Sequence, residues 1–128
     1  MSTTNGHRPQ PMAAFVKLLV SDVGRSVAFY LALGFEEAGR DAVFVHLRWA
    51  SRADLYLVHT PSGMALEGKR GTGVLVGFTA LDPDVDTVAQ RARAQGAVVD
   101  GPRDQPWHTR EVVVTDPDGY RLNFVRPI

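Results

Sequence analysis

Apolar and polar positions follow two rhythms along this chain, and both rhythms occur in each half. From Ala13 to Val20 the residues are apolar apart from Lys17, as in a strand, and Ser21 or Asp22 then offers a helix N-cap. Val23, Val27, Tyr30 and Leu31 follow at helical spacing and form one apolar face, which Gly34 ends by accepting a left-handed C-cap. Phe35 to Arg40 reads as a weak strand. Val43, Val45, Leu47 and Trp49 then alternate with Phe44, His46 and Arg48, so a period of two puts the two sets on opposite faces. Asp54 to His59 is a further strand, with Leu55 and Leu57 on one face and Asp54, Tyr56 and Val58 on the other.

The same order returns after a connection, Thr60 to Thr72, that holds Pro61, Gly63, Gly68 and Gly71 and reads as flexible. Val74 to Leu81 is a strand. A helix follows, with Asp82 as its cap, Pro83 at its first position, Asp84 and Asp86 near its positive end, and a stripe of Val85, Val88, Ala89 and Ala92. Gly96 ends it. Pro106 to Arg126 contains two runs rich in β-branched residues around Asp116, Pro117, Asp118 and Gly119, which is a hairpin by its turn chemistry. Asp22 and Asp84, Val23 and Val85, and Gly34 and Gly96 are each 62 residues apart, and Leu55-Tyr56-Leu57 matches Leu122-Asn123-Phe124 at 67. The strands before the helices align at 61, with Pro83 as the extra residue. The expected fold is α+β, with two pseudo-symmetric βαβββ modules. The expected organisation is a tail at residues 1–12 and a single domain at 13–128, made of module one (13–60), a linker (61–72) and module two (73–128).

Composition narrows the function. The chain of 128 residues has no cysteine, which removes disulfides, thiolate nucleophiles and zinc–thiolate sites. Fourteen basic residues balance fourteen acidic ones and Lys17 and Lys69 are the only lysines, so no basic stripe suits nucleic acid. No apolar run reaches the roughly 18 residues of a membrane span, and the polar first twelve residues lack a signal-peptide core. A cytoplasmic protein with no membrane partner is expected. Neither a Gly-x-Ser-x-Gly nucleophile motif nor a phosphate-binding glycine motif is present.

Residues 20 to 35, Val-Ser-Asp-Val-Gly-Arg-Ser-Val-Ala-Phe-Tyr-Leu-Ala-Leu-Gly-Phe, resemble the first-helix signature of the glyoxalase, bleomycin-resistance and extradiol-dioxygenase superfamily, the vicinal oxygen chelate proteins. Asp-Pro-Asp-Gly-Tyr-Arg-Leu-Asn-Phe, residues 116 to 124, is similar to its closing hairpin. The resemblance implies a curved mixed sheet around a ligand cup, with up to four metal-ligand positions. These fall on Phe15, Val76, Tyr56 and Asn123, which are poor ligands for zinc, iron or nickel. No metal and no other cofactor is therefore expected. Pro106-Trp107-His108-Thr109-Arg110-Glu111 resembles the Pro-Trp-Gly and Arg-Glu of bleomycin-resistance members, with His108 in place of the glycine. Such members tend to be acidic toward a cationic drug. This chain is neutral, so bleomycin is one candidate ligand among several.

The expected ligand-binding set is Phe15, Phe44, His46, Arg48, Tyr56, Val76, Phe78, Trp107, Glu111 and Asn123, an aromatic cleft with a few polar handles. It suits a planar, partly polar organic molecule, held without metal and sequestered, by a protein that resemblance implies is a homodimer. Two enzyme readings stand beside this one. In the first, His46 and Glu111 perform metal-free acid–base chemistry. In the second, His46, Asp54 and Glu111 form a relocated metal site.

Overall fold

The computed structural model describes residues 12–62 and 64–128, so the tail reading of residues 1–12 lies, but for Met12, outside the described residues. In chain order the elements are β1 (Phe15–Val20), α1 (Val23–Leu33), β2 (Glu36–Arg40), β3 (Phe44–Trp49), β4 (Ala53–His59), β5 (Val76–Thr79), α2 (Val85–Ala94), β6 (Val99–Gln105), β7 (Thr109–Thr115) and β8 (Arg121–Pro127). They make an α+β fold in which the βαβββ order occurs twice, with mixed sheets ordered β1-β4-β3-β2 and β5-β8-β7-β6. Two compact units result. One takes in the residues through Leu31 with Phe35–Leu66, the other Ala32–Gly34 with Glu67–Ile128.

In the first unit, Asp22 caps α1 by accepting the Arg25 N–H at 3.0 Å. Gly34, at φ 125°, turns the chain out of the helix, and the Phe35 N–H reaches the Tyr30 carbonyl at 3.1 Å. The buried stripe of α1 differs from the expected one. Leu31 is exposed, while Val27, Phe29 and Tyr30 are buried, so the covered face of the helix is turned from the expected one. Tyr30 meets Phe35 edge-on at 5.1 Å, and Phe35 meets Trp49 at 4.9 Å. Leu18, Val20, Val45, Leu47, Leu55 and Leu57 are all buried on one face of the sheet. Each contributes about 1.5–3 kcal/mol by leaving water.

Between β3 and β4 the chain reverses through Ala50 and Ser51, both at positive φ (53° and 59°), and the Arg52 N–H closes on the Trp49 carbonyl at 3.1 Å. Positive φ at both central residues is the primed form that matches strand twist, here built without Asn or Gly.

In the second unit, α2 packs against β6, β7 and β8 and buries Val85, Val88, Ala89 and Ala92, the stripe read from the sequence. Its cap is Asp84, not Asp82. The Asp84 carboxylate accepts the Thr87 N–H at 2.9 Å, so Pro83 lies before the helix rather than in its first turn. The hairpin turn at 116–119 is as expected, with one Asp116 oxygen accepting the N–H groups of Asp118 (2.9 Å) and Tyr120 (2.8 Å).

The repeat is real, with one offset corrected. The central strands β4 and β8 correspond at 67, as read. For β1 and β5 the offset is 60, because Leu18 and Val20 share their burial with Phe78 and Ala80. The equivalent of Lys17 is therefore Gly77, and the connection from β5 to α2 carries two extra residues rather than one.

Candidate functional site

Cross-strand partners lie on the same face of a sheet, so register decides which side chains meet. In the first sheet one row is Lys17, Tyr56 and His46, and the next is Phe15, Asp54 and Arg48. Tyr56 is the hub. Phe15 stands edge-on to its ring at 5.7 Å, Phe44 stands edge-on at 5.2 Å, and the His46 imidazole stacks on it at 4.5 Å with a 4° tilt. The Lys17 ammonium sits 5.9 Å from the Phe15 ring and 6.0 Å from Tyr56, within cation–π range. Phe15 is 49% exposed and Tyr56 only 5%.

Beside this aromatic wall, one carboxylate is shared by two donors. His46 Nε2 donates to Asp54 Oδ1 at 2.7 Å, and Arg48 Nε donates to the same oxygen at 3.0 Å. His46 is fully buried. Burial pushes the Asp54 carboxyl up, but the hydrogen bonds from His46 and Arg48 outweigh that and hold it below the usual carboxylate range. Burial, and then the Asp54 charge, raise the Tyr56 phenol above its ordinary value, so it stays protonated at neutral pH. A protonated phenol with two phenyl rings edge-on to it is an aromatic wall with one donor at its edge.

In the second sheet, Asn123 pairs with Val113 and Glu111 with Val125, all on one face. Glu111 Oε2 accepts from Thr109 Oγ1 at 2.6 Å and from Trp107 Nε1 at 2.9 Å, and Oε1 takes a longer contact from Asn123 Nδ2 at 3.3 Å. The Thr109 and Trp107 bonds, opposed by burial and aided by Asn123, hold this carboxyl below its usual range. Trp107 remains 62% exposed. The turn before it closes with the His108 N–H on the Gln105 carbonyl at 3.1 Å, and His108 has φ 66°. A left-handed residue there explains why a glycine suits this position.

Val76 and Phe78 do not join these residues. Val76 pairs with Leu122 and Phe78 with Phe124, and the rings of Phe78 and Phe124 stack at 5.5 Å in the buried layer. The residue paired with Asn123 is Gly77, so the one-residue change in offset moves β5 side chains to the other face. Phe15, Phe44, His46, Arg48 and Tyr56 share one face of the first sheet, and Glu111 and Asn123 share one face of the second. Asp54, Lys17 and Thr109 belong with them but were not among the expected ligand contacts. Asp54 had a legible signal, since it alternates in phase with Tyr56. On β3 it faces Arg48, which alternates in phase with His46 in the same way.

The residues at the family's metal positions do not fit a late transition metal. Phe15 has no donor, Val76 faces away from Asn123, and Gly77 has no side chain. The Tyr56 phenol keeps its proton, and the Asn123 amide offers at best a neutral oxygen. Among the described residues, no group of three or more His, Cys, Asp or Glu side chains is placed to hold a metal ion, so the relocated His46, Asp54 and Glu111 triad is not assembled. No helix among the described residues is long and apolar enough to cross a membrane.

No curated protein matches the chain in sequence. Solved structures resemble it in fold. The hypothetical protein SA1046 from S. aureus aligns with a TM-score of 0.73 at 20% identity, covering 92% of this chain and 95% of that one. TnmS3, an antibiotic binding protein from Streptomyces sp. CB03234, aligns at 0.65 and 26% identity, covering 95% of this chain and all (100%) of that one. A bleomycin-binding protein complexed with bleomycin aligns at 0.67 and 22% identity, with coverage of 92% and 100%. The glyoxalase family model matches residues 13–124, nearly the whole repeat, and the chain belongs to the glyoxalase/bleomycin resistance protein/dioxygenase superfamily.

Proposed function

We propose that this protein binds and sequesters a small, partly aromatic organic molecule without a metal, and that the molecule is an antibiotic. The observation that carries the reading is the wall of Phe15, Tyr56 and Phe44, half open at Phe15 and beside an Asp54 carboxylate paired with Arg48. Edge-on and stacked rings bind a planar ligand by contact area and ring geometry rather than by bond-making. Membership of a superfamily that includes bleomycin resistance supports this, as do fold relatives that bind an antibiotic and bleomycin. The Trp107 ring, held by Glu111, is a further contact for the ligand or for a second copy of the chain in a homodimer. The proposed location is the cytoplasm, where a drug would be intercepted.

The metal-free acid–base alternative has less support. The His46 ring nitrogen that would exchange a proton is buried and bonded to Asp54, and Glu111 is a weakened base because two strong donors occupy one oxygen.

The test is a thermal-shift and calorimetric screen against aromatic antibiotics, followed by mass spectrometry of the recovered ligand. The expected result is one site per chain, unchanged ligand, and an affinity weakened about two- to tenfold by Phe15→Ala, as one aromatic contact is worth. Turnover beyond the protein concentration would refute sequestration. Light scattering checks the dimer.

A further inference from the structure

The connection between β4 and β5, read from the sequence as a glycine-rich spacer, forms one wall of a cleft of about 540 Å³ in the second unit. Lys69, Arg70 and Thr72 line it from the connection, and Thr115, Asp118 and Arg121 line it from the β7–β8 hairpin. Thr115 and Arg121 are cross-strand partners at the base of that hairpin, so their side chains lie on one face.

Several features make this a built site. The Arg70 guanidinium is pinned, with Nη1 donating to the carbonyls of Glu67 and Gly68, both at 2.7 Å. Its Nε is buried and has no partner among the described residues, a donor whose desolvation is uncompensated. Gly119, at φ 95°, lets the hairpin turn rest on the Arg70 stem. A side chain there would start 3.8 Å from Arg70 Cγ. The opposite wall is stiffened by the Asp116 carboxylate, which holds the turn's own N–H groups. Three cations therefore face one carboxylate, Asp118. Among the described residues, no ion pair within 4.0 Å engages Lys69, Arg70 or Arg121.

The geometry points to a binding site for a phosphate monoester of a small organic molecule. Such a group carries roughly −1.5 to −2 charges at neutral pH and three acceptor oxygens, which matches a formal excess of two positive charges and donors of guanidinium, ammonium and hydroxyl type. The volume falls in the range of small-molecule sites, roughly 300–1,000 Å³, and leaves room for an organic group beside the phosphate. No sequence motif signals it, because its cations come from two segments some fifty residues apart that only the fold brings together. Nothing in it depends on the aromatic wall of the first unit.

The experiment is calorimetric titration of the intact protein, at constant ionic strength, with ribose 5-phosphate, inorganic phosphate, succinate and ribose. Saturable binding is expected in the order ribose 5-phosphate, then inorganic phosphate, with none for ribose and weaker binding for the dicarboxylate. Lys69→Ser and Arg121→Ser, both at exposed positions, should each weaken ribose 5-phosphate about tenfold, as loss of a charge-assisted hydrogen bond does. Phe15→Ala should leave this titration unchanged, which separates the site from the proposed antibiotic wall. Equal binding of succinate, absence of phosphate binding, or full affinity when Lys69→Ser and Arg121→Ser are combined in one chain of unchanged melting temperature would overturn the assignment.

Discussion

Asp54→Ala tests whether the hydrogen-bonded His46–Asp54 pair beside the aromatic wall holds the first sheet in its present form. The substitution removes the acceptor for His46 Nε2 (2.7 Å) and for Arg48 Nε (3.0 Å) together. Arg48 is 35% exposed on its side chain and recovers water, so little is lost there. His46 is sealed at 1% side-chain exposure and loses the acceptor of its Nε2 N–H, which costs about 1–3 kcal/mol. With the charge-assisted bond also lost, Asp54→Ala should destabilise by about 2–4 kcal/mol. His46→Phe, which keeps the stack on Tyr56 without the polar atom, should make the Asp54→Ala change much cheaper. A coupling of about 1–2 kcal/mol in the double-mutant cycle is expected. The assay is urea unfolding with the slope checked for constancy.

The same pair predicts a pH dependence. The Asp54 carboxyl titrates below its unfolded value, so its contribution is fully present above about pH 4 and is lost as pH falls through the lower folded value. Asp54→Asn should flatten stability against pH in that acid window and leave the slope unchanged near pH 7. Additivity of the two substitutions within about 0.5 kcal/mol, or an unaltered acid slope, would refute the reasoning.

Replacing Ala50-Ser51 by Asn-Gly should stabilise the protein by about 1–2 kcal/mol in thermal or urea unfolding, because both residues now hold positive φ that Asn and Gly adopt at less cost. Asp84→Ala should cost about 1 kcal/mol as a lost cap, whereas Asp82→Ala, before the helix, should fall within about 0.5 kcal/mol of the parent.

The element types, the two helices, the closing hairpin and the repeat were readable from the residues alone, because each rests on local chemistry. Alternation marks a strand wherever one face is buried, a stripe at 3.6 marks a helix, and Asp116, Pro117 and Gly119 favour a turn in almost any context. The family was legible in the helix and hairpin motifs for the same reason. What the sequence left open was register, and register assigns faces. At β5, Val76 and Phe78 read as well for the cup as for the core, since a short apolar strand gives no sign of which side is covered; the pairing of Val76 with Leu122 decided it. The helix cap at Asp84 rather than Asp82 was undecided locally, because aspartates on both sides of Pro83 have the same chemistry. The joining of His46 to Asp54 needed hydrogen-bonded strands, and the gathering of Lys69, Arg70 and Arg121 around one cleft needed a folded connection. Such contacts are properties of tertiary packing, and no local pattern encodes them.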